Sequence, residues 1–136
     1  MFDSFIKRCI FNKELEYAKI LLKQIESMKY KPNDIFFNKL IDFASKQKCI
    51  TFAEFIFKCL IENQIIPTIV TFNTLIDSYF KMNYFKHAWD LFDQLKASEV
   101  KPDNFTYTTM INGIKSMKRP NIEKAFVLFE EYKKVN

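Results

Sequence analysis

The sequence predicts an all-α protein, an α-solenoid of stacked antiparallel helix hairpins, and three observations support this prediction. Pro32, Pro67 and Pro102 recur with a period of 35 residues, as in chains built from structural repeats. Inside each period, apolar residues stand at the i, i+3, i+4, i+7 spacing of a helix face. The 136 residues include one Gly, which disfavours an all-β protein because tight turns between strands draw on Gly.

A second set of markers keeps the same step. Ala18, Ala53 and Ala88 are 35 residues apart, and Ala125 follows after 37. Each period holds two amphipathic helices whose apolar faces need a neighbouring repeat to bury them. We therefore predict a single domain, 1–136, of four repeats at about 1–33, 34–68, 69–103 and 104–136. The first and last repeats are expected to be incomplete.

The first two repeats predict four helices. They are expected at about 2–11, 14–29, 35–46 and 50–63. Phe5 and Ile6 mark the apolar face of the first helix. The faces of the next three consist, in chain order, of Ala18, Leu21, Leu22 and Ile25, then Phe37, Leu40, Ile41 and Ala44, then Ala53, Ile56, Phe57 and Leu60.

The last two repeats predict four more helices, at about 70–81, 84–97, 105–117 and 121–134. Their apolar faces follow the same spacing. In chain order these faces consist of Phe72, Leu75, Ile76 and Tyr79, then Ala88, Leu91, Phe92 and Leu95, then Tyr107, Met110, Ile111 and Ile114, then Ala125, Leu128, Phe129 and Tyr132.

One segment carries conflicting signals. Residues 105–109 are β-branched and aromatic, so their intrinsic propensity favours a strand. The whole scale of strand propensities spans only about 1 kcal/mol. Burying one large apolar side chain of the helical face contributes about 1.5–3 kcal/mol, so we predict a helix. The two extra residues of the fourth repeat fall between its helices, where Pro120 is suited to start the second one.

Composition argues against several classes of function. His87 is the only histidine, and the three cysteines lack C-x-x-C spacing, so we predict no metal site, no cofactor, no disulfide framework and no enzyme activity. No apolar run reaches the roughly 18 residues of a membrane span, and the N-terminus lacks the layout of a signal or transit peptide. The net charge of +5 permits binding to nucleic acid without establishing it.

The stretches "VTFNTLIDSYFK" (70–81) and "HAWDLFDQLKASEVKPD" (87–103) resemble the pentatricopeptide repeat family. The resemblance extends over essentially the whole chain. The tetratricopeptide repeat is the nearest alternative, but its period is 34 residues and it favours Trp in the first helix, whereas Trp89 lies in a second helix. The pentatricopeptide resemblance implies a right-handed superhelix that binds single-stranded RNA, one base per repeat.

The resemblance also implies which residues read the bases. In the family, the polar residue within "F-N-x-L-I" acts together with the residue after the turn proline. The resulting pairs are Asn38 with Thr68, Asn73 with Asp103, and Asp3 with Asn33, while Thr108 lacks its partner. The family pattern implies uracil for Asn73/Asp103, a weaker pyrimidine preference for Asn38/Thr68 and a purine for Thr108. The base for Asp3/Asn33 stays open.

Other interpretations of these residues remain open. Asn33, Thr68 and Asp103 each precede a helix, where they would serve as N-caps worth about 1 kcal/mol. For Asn38 and Asn73 base reading is favoured, since an interior helical Asn is mildly unfavourable.

The resemblance further implies base stacking and phosphate contacts. The stacking residues would be Ile35, Val70 and Phe105, which could instead be edge residues of the core. Lys46 and Lys81 would contact phosphate, although a Lys at a helix C-terminus also complements the helix dipole by 0.3–1 kcal/mol without any ligand.

The expected function is therefore single-stranded RNA binding in RNA processing, stability or translation, in a mitochondrion or plastid as the resemblance implies. Proteins of a ribonucleoprotein assembly are possible further partners, and no membrane partner is expected. Two alternatives remain: a structural, protein-binding solenoid inside a large assembly such as an organellar ribosome, and the RNA-binding arm of a larger enzyme.

Overall fold

A computed structural model describes residues 2–27 and 33–135, which form helices without any strand. The all-α prediction is confirmed. The helices are α1 (Phe2–Phe11), α2 (Leu15–Ser27), α3 (Asp34–Lys46), α4 (Ile50–Glu62), α5 (Ile69–Lys81), α6 (Phe85–Ala97), α7 (Asn104–Lys115) and α8 (Ile122–Val135). The odd-numbered helices are the first helices of the repeats, and the even-numbered ones are their partners.

The segment with conflicting signals is helical, since α7 includes all of residues 105–109. The role predicted for Pro120 is wrong, because α8 begins at Ile122 and the side chain of Asn121 accepts a hydrogen bond from the N–H of Lys124 over 3.1 Å. The last two residues of the predicted helix 14–29, and the turn at Pro32, lie outside the described residues.

In each of the first three repeats, the same kind of turn joins the first helix to the second. Lys13, Lys48 and Asn83 each adopt a positive φ, of 61°, 58° and 64°. In the second repeat, the N–H of Cys49 then donates to the carbonyl of Ala44 over 2.8 Å. This bond satisfies a carbonyl that the end of α3 would otherwise leave unpaired. The left-handed residue therefore reverses the chain within a few residues and makes the hairpin antiparallel.

Each repeat packs on the next through its first helix. α3 contacts α1, α4 and α5, and α5 in turn contacts α6 and α7. Ala18, Ala53 and Ala88, at equivalent positions of the second helices, are fully buried. The buried apolar residues run without a break from the first repeat to the last.

First helices of consecutive repeats meet through residues that are 33 positions apart. The hydrogen-bonded examples are Asn38 with Thr71, Ser45 with Ser78, and Asn73 with Thr106. The ring of Phe80 meets Gly113 in the same way. This constant offset aligns the first helices side by side, so a feature that recurs every 35 residues forms a row along one surface.

Candidate functional site

Three adjoining pockets form one surface along α3, α5 and α7, which we call the trough. The pocket between α3 and α5 shares Asp42 and Thr74 with the next pocket, and that pocket shares Lys81 and Phe105 with the third. The predicted site residues that line the trough are Ile35, Asn38, Lys46, Thr68, Val70, Asn73, Lys81, Phe105 and Thr108.

The remaining predicted residues stand in different positions. Asp103 contacts the trough residue Asn73 directly. Asn33 lies one residue before α3. The side chain of Asp3 is outside the described part of the chain, although its backbone belongs to α1. The hydroxyl of Thr108 is exposed and donates to the backbone carbonyl of Asn104 over 2.8 Å.

Asn73 and Asp103 form a hydrogen-bonded pair. Nδ2 of Asn73 donates to Oδ1 of Asp103 over 3.2 Å. Thr106 supports both residues, because its Oγ1 donates to Oδ1 of Asn73 over 2.6 Å and its backbone N–H donates to Oδ1 of Asp103 over 2.9 Å. Asn73 is 7% exposed and Thr106 is fully buried. The pair is therefore held in one arrangement at the wall of the trough.

The hydrogen bonds also set the charge of Asp103. Burial raises the pKa of its carboxyl, but the hydrogen bonds from the backbone and side chain of Thr106 and from Asn73 outweigh that effect and leave the pKa below its ordinary value. At neutral pH the group is a carboxylate, which only accepts hydrogen bonds.

Asn38 and Thr68 reproduce part of this arrangement. Oγ1 of Thr71 donates to Oδ1 of Asn38 over 2.7 Å. The backbone N–H of Thr68 donates to Oγ1 of Thr71 over 3.2 Å. Among the described hydrogen bonds, none joins the side chains of Asn38 and Thr68. This pair is therefore less constrained than Asn73 with Asp103.

All three residues after the turn prolines, Asn33, Thr68 and Asp103, are helix N-caps. Thr68 forms a capping box with Thr71, whose Oγ1 accepts from the backbone N–H of Thr68. Oδ1 of Asn33 accepts from the N–H of Phe36 over 3.0 Å, and Oδ1 of Asp103 accepts from the N–H of Thr106 over 2.9 Å. Capping does not exclude a second role for Asp103. Its described side-chain hydrogen bonds all involve Oδ1, so Oδ2 remains able to accept from a ligand.

The apolar residues predicted to stack lie open to solvent. Ile35, Val70 and Phe105 occupy the second position of α3, α5 and α7, and their exposed fractions are 56%, 55% and 61%. Because they stand 35 residues apart on neighbouring helices, they form a row of exposed apolar side chains along the trough. None of the three belongs to the buried core.

The two lysines predicted to contact phosphate are paired with carboxylates. Nζ of Lys46 lies 2.8 Å from Oδ2 of Asp42, and Nζ of Lys81 lies 2.7 Å from Oδ2 of Asp77. Both lysine side chains remain largely exposed. A phosphate would therefore have to compete with a surface ion pair, which is worth about 1 kcal/mol or less.

The supporting roles of Thr71 and Thr106 were not predicted from the sequence. Their signal is present, since both follow a helix N-cap by three residues, where a side chain often bonds back to the cap. Asp42 and Asp77 carry a second signal, because each precedes a lysine by four residues on one helix.

The described residues offer neither a metal site nor a membrane-spanning helix. Among the residues described, no cluster of His, Cys, Asp and Glu has a geometry suited to a metal ion. None of the helices described combines the length and apolarity needed to cross a membrane.

Family models match more than half of the chain. The model of the PPR repeat family matches residues 67–116, and the model of the pentatricopeptide repeat domain matches residues 40–82. No curated protein matches the chain.

Solved structures of similar fold include the pentatricopeptide repeat protein PPR10 from maize, with a TM-score of 0.82 and 18% identity over 96% of this chain. A structure of PPR10 in complex with an 18-nt psaJ RNA element gives a TM-score of 0.66 and 23% identity over 92% of this chain. The chain spans 18% of the length of either solved chain.

Proposed function

Because the chain belongs to the pentatricopeptide repeat family, we propose that its trough binds single-stranded RNA. The solved complex of PPR10 with an 18-nt RNA element supports this proposal, since the two chains share a fold. The proposal goes further than that likeness: each repeat contacts one base, and side chains of the first helices and of the turns that precede them select it.

The observation that carries the proposal is the contact between Asn73 and Asp103. The pair offers two complementary groups side by side, a free N–H of the Asn73 amide and Oδ2 of the Asp103 carboxylate. The Watson–Crick edge of uracil carries an N3–H donor flanked by carbonyl acceptors. Uracil can therefore donate N3–H to Asp103 and accept from Asn73 at the same time. RNA-binding proteins commonly recognise unpaired bases through such contacts to the Watson–Crick edge.

The exposed apolar row supplies the second part of the binding. A base read by Asn73 and Asp103 would lie between Val70 and Phe105, and a base read by Asn38 and Thr68 would lie between Ile35 and Val70. Base–aromatic stacking is worth about 1–3 kcal/mol per base, and the open faces of these side chains leave room for it. Stacking accepts any base, so selectivity falls to the polar pairs.

The other repeats are proposed to contact bases with lower selectivity. Asn38 with Thr68 is proposed to read a pyrimidine more weakly, because the Thr hydroxyl both donates and accepts. Thr108 is proposed to contact a purine. Asn33, with Asp3, would contact a further base of unassigned type. Lys46 and Lys81 would contact the phosphates between successive bases.

The cellular role proposed is RNA processing, stability or translation in a mitochondrion or plastid, within a ribonucleoprotein. This role rests on membership of the family. The 136-residue chain would bind about three or four nucleotides, and affinity would fall with salt as expected for phosphate contacts.

A fluorescence titration with labelled U-rich, C-rich and A-rich oligomers tests the proposal. We expect the U-rich oligomer to bind most tightly. Asn73→Ala should lower the affinity for the U-rich oligomer more than the affinity for the A-rich oligomer. A matched control is Asn63→Ala, since Asn63 ends α4 outside the trough and bonds to the carbonyl of Cys59. Equal affinity for all oligomers, or no binding, would contradict base reading.

A further inference from the structure

The amide of an asparagine can present either its oxygen or its nitrogen to a ligand, and the two choices select different bases. We propose that Thr106, and Thr71 in the preceding repeat, are positioning residues that hold the Asn73 and Asn38 amides in one orientation and so determine base selectivity. The inference rests on the proposed function of the trough. Neither threonine contacts the base in this scheme, because both are fully buried.

The hydroxyl of Thr106 has one proton and two nearby acceptors. Oδ1 of Asn73 lies 2.6 Å from it, and Oδ1 of Asp103 lies 2.8 Å from it. Oδ1 of Asp103 already accepts from the backbone N–H of Thr106 and from Nδ2 of Asn73. Asn73 is only 7% exposed, and its Oδ1 has no second donor among the described residues. The proton therefore goes to Asn73, since an unsatisfied buried carbonyl is costly.

Rotating the Asn73 amide by 180° would break this arrangement. Its oxygen would then face Oδ1 of Asp103 at about the 3.2 Å now occupied by a hydrogen bond, and two acceptors without a proton between them repel each other. Thr106 and Asp103 together thus turn the Asn73 oxygen inward. One N–H of Asn73 bonds to Asp103, and because the oxygen is turned toward Thr106, the amide presents its other N–H to a base.

The preceding repeat contains half of this device. Oγ1 of Thr71 donates to Oδ1 of Asn38 over 2.7 Å and also accepts from the backbone N–H of Thr68. The residue that corresponds to Asp103 is Thr68, whose hydroxyl can donate or accept. Among the described residues, Asn38 is therefore held by Thr71 alone. Removing the Thr71 hydroxyl would therefore leave the Asn38 amide without a described partner, whereas Asp103 still bonds to Asn73 when the Thr106 hydroxyl is removed.

The test compares Thr106→Val, Thr106→Ser and Thr51→Val in the 136-residue chain. Val keeps the shape of Thr without the hydroxyl, and Ser keeps the hydroxyl. Thr51→Val is the control for the substitution itself, because Thr51 is an exposed threonine of α4, a second helix, and lines none of the three pockets of the trough. The measured quantity is the ratio of the dissociation constants for oligo-C and oligo-U, at a temperature where melting curves show every variant folded.

We expect Thr106→Val to reduce the preference for oligo-U over oligo-C about tenfold, the effect of one charge-assisted or buried hydrogen bond. Thr106→Ser and Thr51→Val should keep the wild-type ratio, even where they lower the melting temperature. A Thr106→Val protein with the wild-type ratio would overturn the positioning role while leaving the proposed function intact. A wild-type protein that binds neither oligomer would overturn both.

Discussion

Nδ2 of Asn73 donates a hydrogen bond to Oδ1 of Asp103, which joins the first half of α5 to the residue that caps α7. The two residues belong to consecutive first helices and are 30 positions apart. The contact places an amide and a carboxylate together at the wall of the trough. It also leaves the second carboxylate oxygen of Asp103 without a described partner, so the chemistry of that one atom can be altered without disturbing the cap.

Asp103→Asn should change the base preference from uracil to cytosine. Oδ1 of the new side chain would keep accepting from Thr106 and Asn73, so its amide nitrogen would replace Oδ2. A donor would then stand where an acceptor stood. Uracil N3–H would meet another donor, whereas cytosine N3 would accept from it. A matched side-chain pair discriminates by about 1–3 kcal/mol, so titrations with oligo-U and oligo-C should show a shift of tenfold or more.

Helix capping should survive this change, because Asn and Asp are equally good N-caps. Asp90→Asn controls for the lost charge, since Asp90 is an exposed residue of α6, a second helix. A variant Asp103→Asn that still prefers oligo-U would show that Oδ2 does not contact the base.

Lys81→Ala should make RNA binding less sensitive to salt. If Nζ of Lys81 neutralises one phosphate, the slope of log K against log salt concentration should become shallower by about 0.7, the value for a single-stranded nucleic acid. Binding curves for oligo-U at four salt concentrations would measure this slope.

Lys133→Ala is the matched control. Like Lys81, Lys133 lies in the last turn of its helix and pairs with a carboxylate on the same helix, that of Glu130 at 3.4 Å. It lies on α8, a second helix, so its removal should leave the slope unchanged. Equal slopes for wild type and Lys81→Ala would show that Lys81 makes no phosphate contact.

Much of the fold follows from periodicity in the sequence, and the helix ends show what periodicity lacks. The first helices were predicted from 35, 70 and 105, yet they begin at Asp34, Ile69 and Asn104. The reason is that the apolar face identifies where a helix packs, whereas the cap identifies where it begins, and the residue after each cap is already helical. The order and number of helices in the described residues agree with the prediction.

The site could be predicted only as far as spacing allows. The 35-residue step brings the predicted polar and apolar residues to one surface. It cannot reveal that Thr106 donates to Asn73, because that bond depends on how closely two first helices approach. The distance between two packed helices is a tertiary property, because it depends on the side chains at the contact. Here Phe80 of α5 packs directly against Gly113 of α7.

Gly113→Ala should destabilise the protein although alanine is the better helix former. A Cβ at this position would overlap Cδ1 of Phe80, and that ring is buried at 5% exposure. The helix propensity gain is about 1 kcal/mol, whereas overpacking a buried contact costs about 1–3 kcal/mol. Urea unfolding should therefore show a net loss of about 1 kcal/mol. Adding Phe80→Leu should recover part of it, and a stabilising Gly113→Ala would contradict the close approach of α5 and α7.

Stability should fall above about pH 10, partly through Tyr79. Burial raises the pKa of Tyr79, and so do its hydrogen bond to Oε1 of Glu54, 2.8 Å long, and the negative charge of that carboxylate. Since the folded pKa lies above the unfolded one, the unfolded chain releases this proton first, and stability is lost as pH rises past the unfolded value. Each such group contributes at most about 1.4 kcal/mol per pH unit.

Tyr79→Phe isolates this contribution, because Phe keeps the ring stacked on His87 and cannot ionise. The difference in unfolding free energy between wild type and variant, measured by urea titration from pH 8 to 11.5, should be constant below about pH 9.5 and then move against the wild type. A difference that stays constant over the whole range would contradict the raised pKa.

Lys48→Gly should stabilise the hairpin of the second repeat. Lys48 is exposed and has a φ of 58°, a conformation that costs a residue with a Cβ about 1–2 kcal/mol. Glycine avoids that cost but gains freedom in the unfolded chain, so we expect a net gain of about 0.5–1 kcal/mol in chemical unfolding. Lys48→Ala removes the same charge and keeps the Cβ, so it should not reproduce the gain.

Asn83→Gly, at the equivalent turn with a φ of 64°, should gain less stability, because asparagine tolerates this region better than lysine. A loss of stability in Lys48→Gly would contradict the left-handed backbone at position 48. It would also contradict the turn that this residue forms, which is closed by the hydrogen bond from the N–H of Cys49 to the carbonyl of Ala44.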